Sequence, residues 1–266
     1  MKKQTIIGLA AAGVVAGTIG AHSIAKTNDV PVVYFTRDIS PAGLVRAYNA
    51  LNWKPNGRVG IKMSTGESAK TNYLRPELIK DLVGIVDGTI VECNTAYGGN
   101  RSDSKSHWAA IRERGFLDIA PVDIMDEEGS MTLTVNGGNV LSENYVGTHF
   151  ANYPSYIVLS HFKGHQMAGF GGALKNISIG FASSMGKKWI HSGGTSKESM
   201  WGGEQNAFLE SMADASKAVT DYIGHDNMVY INVLNRISID CDCNGDPAEP
   251  DIHDIGILVS RDPVAI

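Results

Sequence analysis

The sequence predicts an α/β domain built on a mainly parallel sheet flanked by helices. Three observations carry that expectation. Short apolar runs alternate with amphipathic stretches along the chain after residue 25. Helix-start signals, such as a polar cap followed by proline at Ser40-Pro41, stand between the runs. One segment, residues 127–150, breaks the alternation with short runs and turns around Asn136-Gly137-Gly138, and it reads as a small hairpin excursion from the main sheet.

The first 25 residues stand apart from this pattern. Lys2 and Lys3 form a positive n-region, Thr5 to Ala21 is uncharged, and Ser23-Ile24-Ala25 places small residues before a cleavage point at Lys26. That is the pattern of a secretory signal peptide, which implies a periplasmic or extracellular location. The alternatives are an uncleaved N-terminal anchor, since the run approaches the roughly 20 residues a span needs, and a buried first helix. Membrane contact is expected only through such an anchor.

The remaining residues 26–266, about 240 in number, suit a single α/β domain. Val30 to Thr36 reads as a buried strand and Ser40-Pro41 opens a helix through about Leu51. Arg58 to Lys62 is a second strand, followed by a polar loop. Pro76 to Val86 is helical, with Leu78, Ile79, Leu82 and Val83 on one face. Thr89 to Cys93 is a strand, Ser104 to Arg114 a helix, and Ile119 to Ile124 a strand. After the hairpin, Tyr156 to His161 is a strand that feeds a glycine-rich turn and a helix. Glu204 to Ile223 is the clearest helix, with Phe208, Met212, Ala215, Val219 and Tyr222 at helical spacing. Met228 to Val233 and Ile255 to Ser260 are the late strands.

Composition narrows the function. With 43% apolar and 19% charged residues, a disordered chain, a coiled coil and a multi-pass membrane protein are excluded. A net charge of −5 offers no basic field for nucleic acid. Three cysteines cannot frame a disulfide scaffold, nor supply the four thiolates of an all-cysteine cluster. Glycine, at 30 residues, is the outlier.

Much of the chemistry concentrates in Ser160 to Asn176, where an apolar strand leaves through Gly164, Gly169, Gly171 and Gly172 towards a helix. Ligands bind at the carboxyl ends of strands in such sheets. Glycines there admit an anion to backbone N–H groups, helped by a helix N-terminus. In an extended chain His161, Lys163 and His165 project to one side, where they can serve acid–base work or ligate a metal. Arg75, just before Pro76, is a candidate carboxylate or phosphate ligand, or a locally paired loop residue. Cys241 and Cys243 lie in an acidic loop rich in metal-ligand types, with Cys93 as a possible third thiolate. They read as zinc or iron ligands, or as partly buried thiols of a polar loop. His107, His149 and His225 are given no functional role.

The stretches SHFKGHQMAGFGGALKN (160–176), VGIKMSTGESAKTNYLRPELI (59–79) and DIGILVSRDPVA (254–265) resemble a widespread family, domain of unknown function 362, often labelled iron–sulfur-centre proteins. Many members continue beyond the point that matches Ile266, so the chain is expected to be cut short at its C-terminus. Many also carry a ferredoxin-like cysteine insert. The corresponding stretch, about 193–204, holds no cysteine here. A more distant resemblance is to nickel-pincer lactate racemases, carried by His165, Ala168-Gly169-Phe170, Gly171-Gly172 and Lys175, with His191 further on. It implies an acid–base His165, a cofactor-holding Lys175 and a nickel-ligating His191. Asn72-x-Leu74-Arg75-Pro76 is similar to that family's Asp-x-x-Arg-Pro motif, but Asn72 replaces the acid.

Together these readings predict a metal- or cofactor-dependent enzyme, isomerase-like or an oxidoreductase, acting on a small anionic substrate such as a 2-hydroxy acid or phosphorylated compound. Its catalytic candidates are His161, Lys163 and His165. Gly169, Gly171, Gly172, Lys175 and Arg75 are the cofactor candidates, and His191, Cys93, Cys241 and Cys243 the ligands for nickel, zinc, iron or an iron–sulfur cluster. An iron–sulfur or other redox protein, and an exported binding protein without catalysis, are the alternatives.

Overall fold

The computed structural model describes residues 30–266, so the leader expected over residues 1–25 lies outside the described residues. From the N-terminal side come β1 (Val33–Thr36), α1 (Pro41–Ala50), β2 (Val59–Lys62), α2 (Pro76–Val86), β3 (Thr89–Glu92), α3 (Ser104–Glu113) and β4 (Val122–Ile124). A two-stranded hairpin of β5 (Ser130–Thr134) and β6 (Glu143–Gly147) follows where the excursion was expected. Then come β7 (Ser155–His161), β8 (Lys163–His165), β9 (Gly169–Gly171), α4 (Ala173–Lys175), α5 (Ser184–His191), α6 (Gln205–Ile223), β10 (Met228–Leu234) and β11 (Gly256–Ser260).

The main sheet has the order β1-β11-β10-β7-β2-β3-β4. β10, β7, β2, β3 and β4 pair in parallel, while β11 runs against both its neighbours. Two apolar clusters cover the faces. Alternation along β7 sends Ile157 and Leu159 to one cluster with α1 and α2, and Tyr156 and Val158 to the other with α6. Both faces are therefore buried, as a parallel sheet requires. Local signals hold at the helix starts: Ser40 accepts the Gly43 N–H at 3.0 Å at the start of α1, with Pro41 in the first turn.

Three expectations are corrected. The first strand is an edge strand rather than a buried one. It pairs with β11 alone, and Tyr34 and Phe35 remain 43% and 51% exposed. The glycine-rich stretch does not run straight into a helix. It folds back as the β8–β9 hairpin, and the helix after it is one short turn, α4, passing into a π turn over Asn176–Gly180. On α6, Tyr222 keeps helical spacing yet is 52% exposed, because it reaches over Phe150 at the rim of the layer.

Candidate functional site

Successive connections leave β2 towards β3 and β4 on one side, whereas β7 leads to β10 on the other. The sheet order thus reverses between β2 and β7, the place where open α/β sheets hold ligands. A cavity of about 390 Å³ opens there, over Lys62, Glu92 and His161 at the strand ends. Asn176 ties the two halves together. Its Nδ2 donates to the carbonyls of Lys62 (3.1 Å) and Leu159 (3.2 Å), and its Oδ1 accepts from Lys62 Nζ at 3.2 Å.

The Cys-x-Cys loop, some 80 residues downstream in sequence, is brought in by backbone contact. Gly164 N–H donates to the Ser238 carbonyl at 2.8 Å, and a Cβ at Gly164 would collide with the Ile239 backbone. Asp242 then locks the loop. Its carboxylate accepts from His161 Nδ1 at 3.1 Å and Lys163 Nζ at 2.8 Å, and its carbonyl accepts the Glu67 N–H at 3.0 Å. Burial alone would raise the Asp242 carboxyl. The Lys163 ammonium and the His161 ring outweigh it and hold the group well below the usual carboxylate range.

His161 gives its other nitrogen, Nε2, to the Asn235 carbonyl at 2.7 Å. Both ring nitrogens thus lie against oxygen atoms of the protein. Lys163 is likewise spent on Asp242. Both residues, expected as catalytic, line the cavity with their polar atoms engaged inside the protein.

His165 and His191 differ from His161. His165 Nδ1 accepts the backbone N–H groups of Met167 (3.3 Å) and Ala168 (3.0 Å), so its proton sits on Nε2. His191 Nδ1 donates to the Lys187 carbonyl at 2.7 Å, which leaves Nε2 with a free lone pair. Burial, reinforced by nearby Lys175, His165 and Lys187, pushes His191 down to about 4 and keeps the ring neutral at pH 7.

One ligand atom each of His165, Cys241 and Cys243 lies within 4.8 Å of the other two. Cys241 Sγ also accepts from the Cys243 N–H at 3.4 Å and sits 3.9 Å from Lys175 Nζ. A side-chain hydrogen bond from the Cys243 thiol, not its backbone N–H, pulls the Cys241 thiol well below its ordinary value against burial, helped by Lys175 and His165. Cys93 lines the cavity but stays outside this group. Its thiol hydrogen-bonds the Phe181 carbonyl at 3.4 Å, and burial pushes it up to about 12. A cluster held by four cysteines does not fit: the chain has three, and one of them is elsewhere in the cavity wall.

Gly171, Gly172, Lys175 and His191 all line the cavity. Gly169 lies outside it, at the start of β9 opposite His165, with φ of +76°. Arg75 does not reach it either. Its guanidinium lies 3.8 Å over the Tyr73 ring and donates to the Thr71 carbonyl at 3.0 Å.

Several lining residues were missed by the sequence reading. Glu92 is held by Arg101 (2.5 Å), Thr65 Oγ1 (2.6 Å) and His107 Nε2 (3.0 Å), so His107 is a buried support of Glu92 and does not line the cavity. Lys62 and Lys187 point inward with Lys175. Among the described residues, none of these three lysines has a carboxylate within 4.0 Å, whereas Lys163 and Arg101 do.

Residues 59–266 match the family model described as domain of unknown function (DUF362). The chain belongs to that family. No curated protein matches it in sequence. Among solved structures, the lactate racemase apoprotein from Thermoanaerobacterium thermosaccharolyticum is 14% identical with a TM-score of 0.47, over 76% of this chain and 50% of that one. A structural-genomics protein from Thermotoga maritima is 11% identical with a TM-score of 0.49, over 85% of this chain and 55% of that one. The DUF362 chain therefore spans about half the length of each of these structures.

Proposed function

We propose that this DUF362 chain is an enzyme that holds a small anionic substrate, a 2-hydroxy acid or a phosphorylated compound, in the cavity between β2 and β7. One observation carries the reading: Lys62, Lys175 and Lys187 converge on the cavity without a carboxylate partner. Lys62 and Lys187 are buried and Lys175 is half-buried; an ammonium taken from water without a counter-charge is costly, so the three together make a site that an anion completes. His191 supplies the proton acceptor, because its Nε2 lone pair is the one on the cavity histidines that neither a donor nor a proton occupies. Glu92 and Asp242 hold the surrounding cations in place and are not free to act as bases.

Thermal stabilisation by a panel of phosphates and 2-hydroxy acids tests the reading. A ligand that stabilises wild type is expected to lose roughly 10- to 150-fold in affinity in Lys62→Met or Lys187→Met, from the 1.5–3 kcal/mol of a hydrogen bond to a charged group. Substrate turnover should fall in His191→Phe while ligand stabilisation persists. Stabilisation without turnover of any panel member would favour a binding protein. Unchanged affinity in both lysine variants would reject the site.

A further inference from the structure

We propose that His165, Cys241 and Cys243 form a three-ligand site for one thiophilic divalent ion of the zinc class, with a fourth position left for a ligand from the cavity. The inference names a site in the same cavity but does not depend on the anion reading. It moves His165 from acid–base chemistry to metal binding and leaves Cys93 and His191 out of the ligand set.

The geometry is close to what such an ion needs. Zinc bound to sulfur and imidazole nitrogen in a tetrahedron separates its ligand atoms by roughly 3.5–3.8 Å. Here the three atoms already lie within 4.8 Å of one another, on side chains from two distant segments. Two thiols and an imidazole select a zinc-like ion over magnesium or calcium, which prefer oxygen. Three protein ligands with a fourth position open is the arrangement of catalytic rather than structural zinc.

The support beneath the ligands is rigid. Asp242, between the two cysteines, is held by His161, Lys163 and the Glu67 N–H, so the Cys-x-Cys backbone is pinned at its centre. His165 belongs to β8, which is paired with β9 and bound to Ser238 through Gly164. Lys175, 3.9 Å from Cys241 Sγ, supplies the positive charge that the metal would take over.

The hydrogen bonds of His165 give the inference its sharpest consequence. A neutral imidazole that binds a metal through one nitrogen carries its proton on the other. His165 Nδ1 now accepts from the Met167 and Ala168 N–H groups. Metal at Nδ1 displaces those donors, and metal at Nε2 puts a proton against them. Either way both backbone bonds must be given up on loading.

The test is titration of the reduced, metal-free full chain with Co(II), followed by hydrogen exchange of the loaded and free forms. One Co(II) per chain is expected, with thiolate-to-cobalt charge-transfer absorption that Zn(II) abolishes. Cys241→Ser and Cys243→Ser should each lose most of that absorption, Cys93→Ser should keep it, and His165→Ala should bind at least tenfold more weakly. The Met167 and Ala168 amides should exchange faster in the loaded form. Thermal melts establish that each variant is folded. Absence of charge-transfer absorption, its survival in both Cys241→Ser and Cys243→Ser, or unchanged exchange at both amides would overturn the site. Lys62→Met serves as the separating control. Anion stabilisation retained in that variant with the cobalt spectrum intact counts against the anion reading alone, and wild-type anion stabilisation without any cobalt spectrum counts against the metal site alone.

Discussion

Lys62 is where the charge of the cavity is easiest to change. It stands at the end of β2, 2% exposed, and its ammonium is satisfied by the Met63 carbonyl at 2.8 Å and Asn176 Oδ1. Burial lowers it to about 8, and although Glu92 pulls the other way, Lys187 and Arg101 add to the lowering. The sign of its effect on binding follows. Below pH 8 the free protein carries the ammonium, and an anion gains a full charge partner. Above pH 8 the free lysine loses its proton, and a ligand must restore it at a cost of about 1.4 kcal/mol per pH unit. Anion affinity is therefore expected to be flat below pH 7 and to fall up to about tenfold per unit above pH 8. Calorimetric titration at pH 6.5, 8 and 9 reads this directly, and Lys62→Gln should flatten the profile as well as weaken binding. A wild-type affinity that holds constant to pH 9 would show that Lys62 does not meet the ligand. The neighbouring Lys187 is lowered by burial in the same direction, so it steepens the fall rather than offsetting it.

At the scale of elements, the site depends on how closely β8 and the segment before Cys241 can approach. Gly164 permits that approach by having no side chain, and its N–H fixes the register through Ser238. Gly164→Ala must push Ile239 away, at about 1–3 kcal/mol for such overpacking. The displacement carries Cys241 and Asp242 with it. Urea unfolding should register the loss, and the cysteine thiols should react faster with a thiol reagent than in wild type. An Ala variant with wild-type stability and thiol reactivity would show that the contact is dispensable.

The same contact explains what the sequence could and could not show. The helices α1, α2 and α6, and the strands β2, β3, β7 and β10, were legible from period and capping. That His165, Gly171, Gly172 and Lys175 lie around one cavity was legible because one strand exit holds them together. Cys241 and Cys243 were legible as ligand types but not as neighbours of His165, since that contact runs through a backbone approach with no local signature. Lys62, Lys187 and Arg101 carry no local mark at all. Their convergence follows from parallel pairing across β2 and β7 and from α5, which is fixed only when the layers pack. The β8–β9 hairpin was missed for a related reason: glycines permit both a turn and a helix entry, and the choice lies with the partner strand.

For the whole molecule, the two buried carboxylates Glu92 and Asp242 link the sheet to its loops, and they set how stability depends on acid. Each is fully inside the protein, where burial would favour the neutral form, yet each is held well below the usual range by its partners. Those are chiefly Arg101 and His107 for Glu92, and Lys163 and His161 for Asp242. A carboxylate depressed on folding contributes stability that is fully present above its unfolded value, about 4, and is lost as the pH falls towards the lower folded value. Stability is thus expected to be level between pH 7 and 5. Below pH 4 it should fall by up to about 2.7 kcal/mol per pH unit from these two groups together. Asp242→Asn removes one of them and leaves Lys163 and His161 buried without their counter-charge. Breaking such a pair costs about 3–5 kcal/mol, roughly 6–20 °C in Tm for a domain of this size. The acid slope of the variant should be about half that of wild type. Urea unfolding of both proteins at pH 7, 4 and 3 separates the two effects. A variant that loses stability at pH 7 but keeps the full acid slope would mean that surface carboxylates, and not this buried pair, govern acid unfolding. A wild-type decline that begins near pH 6 would place the control on the histidines instead.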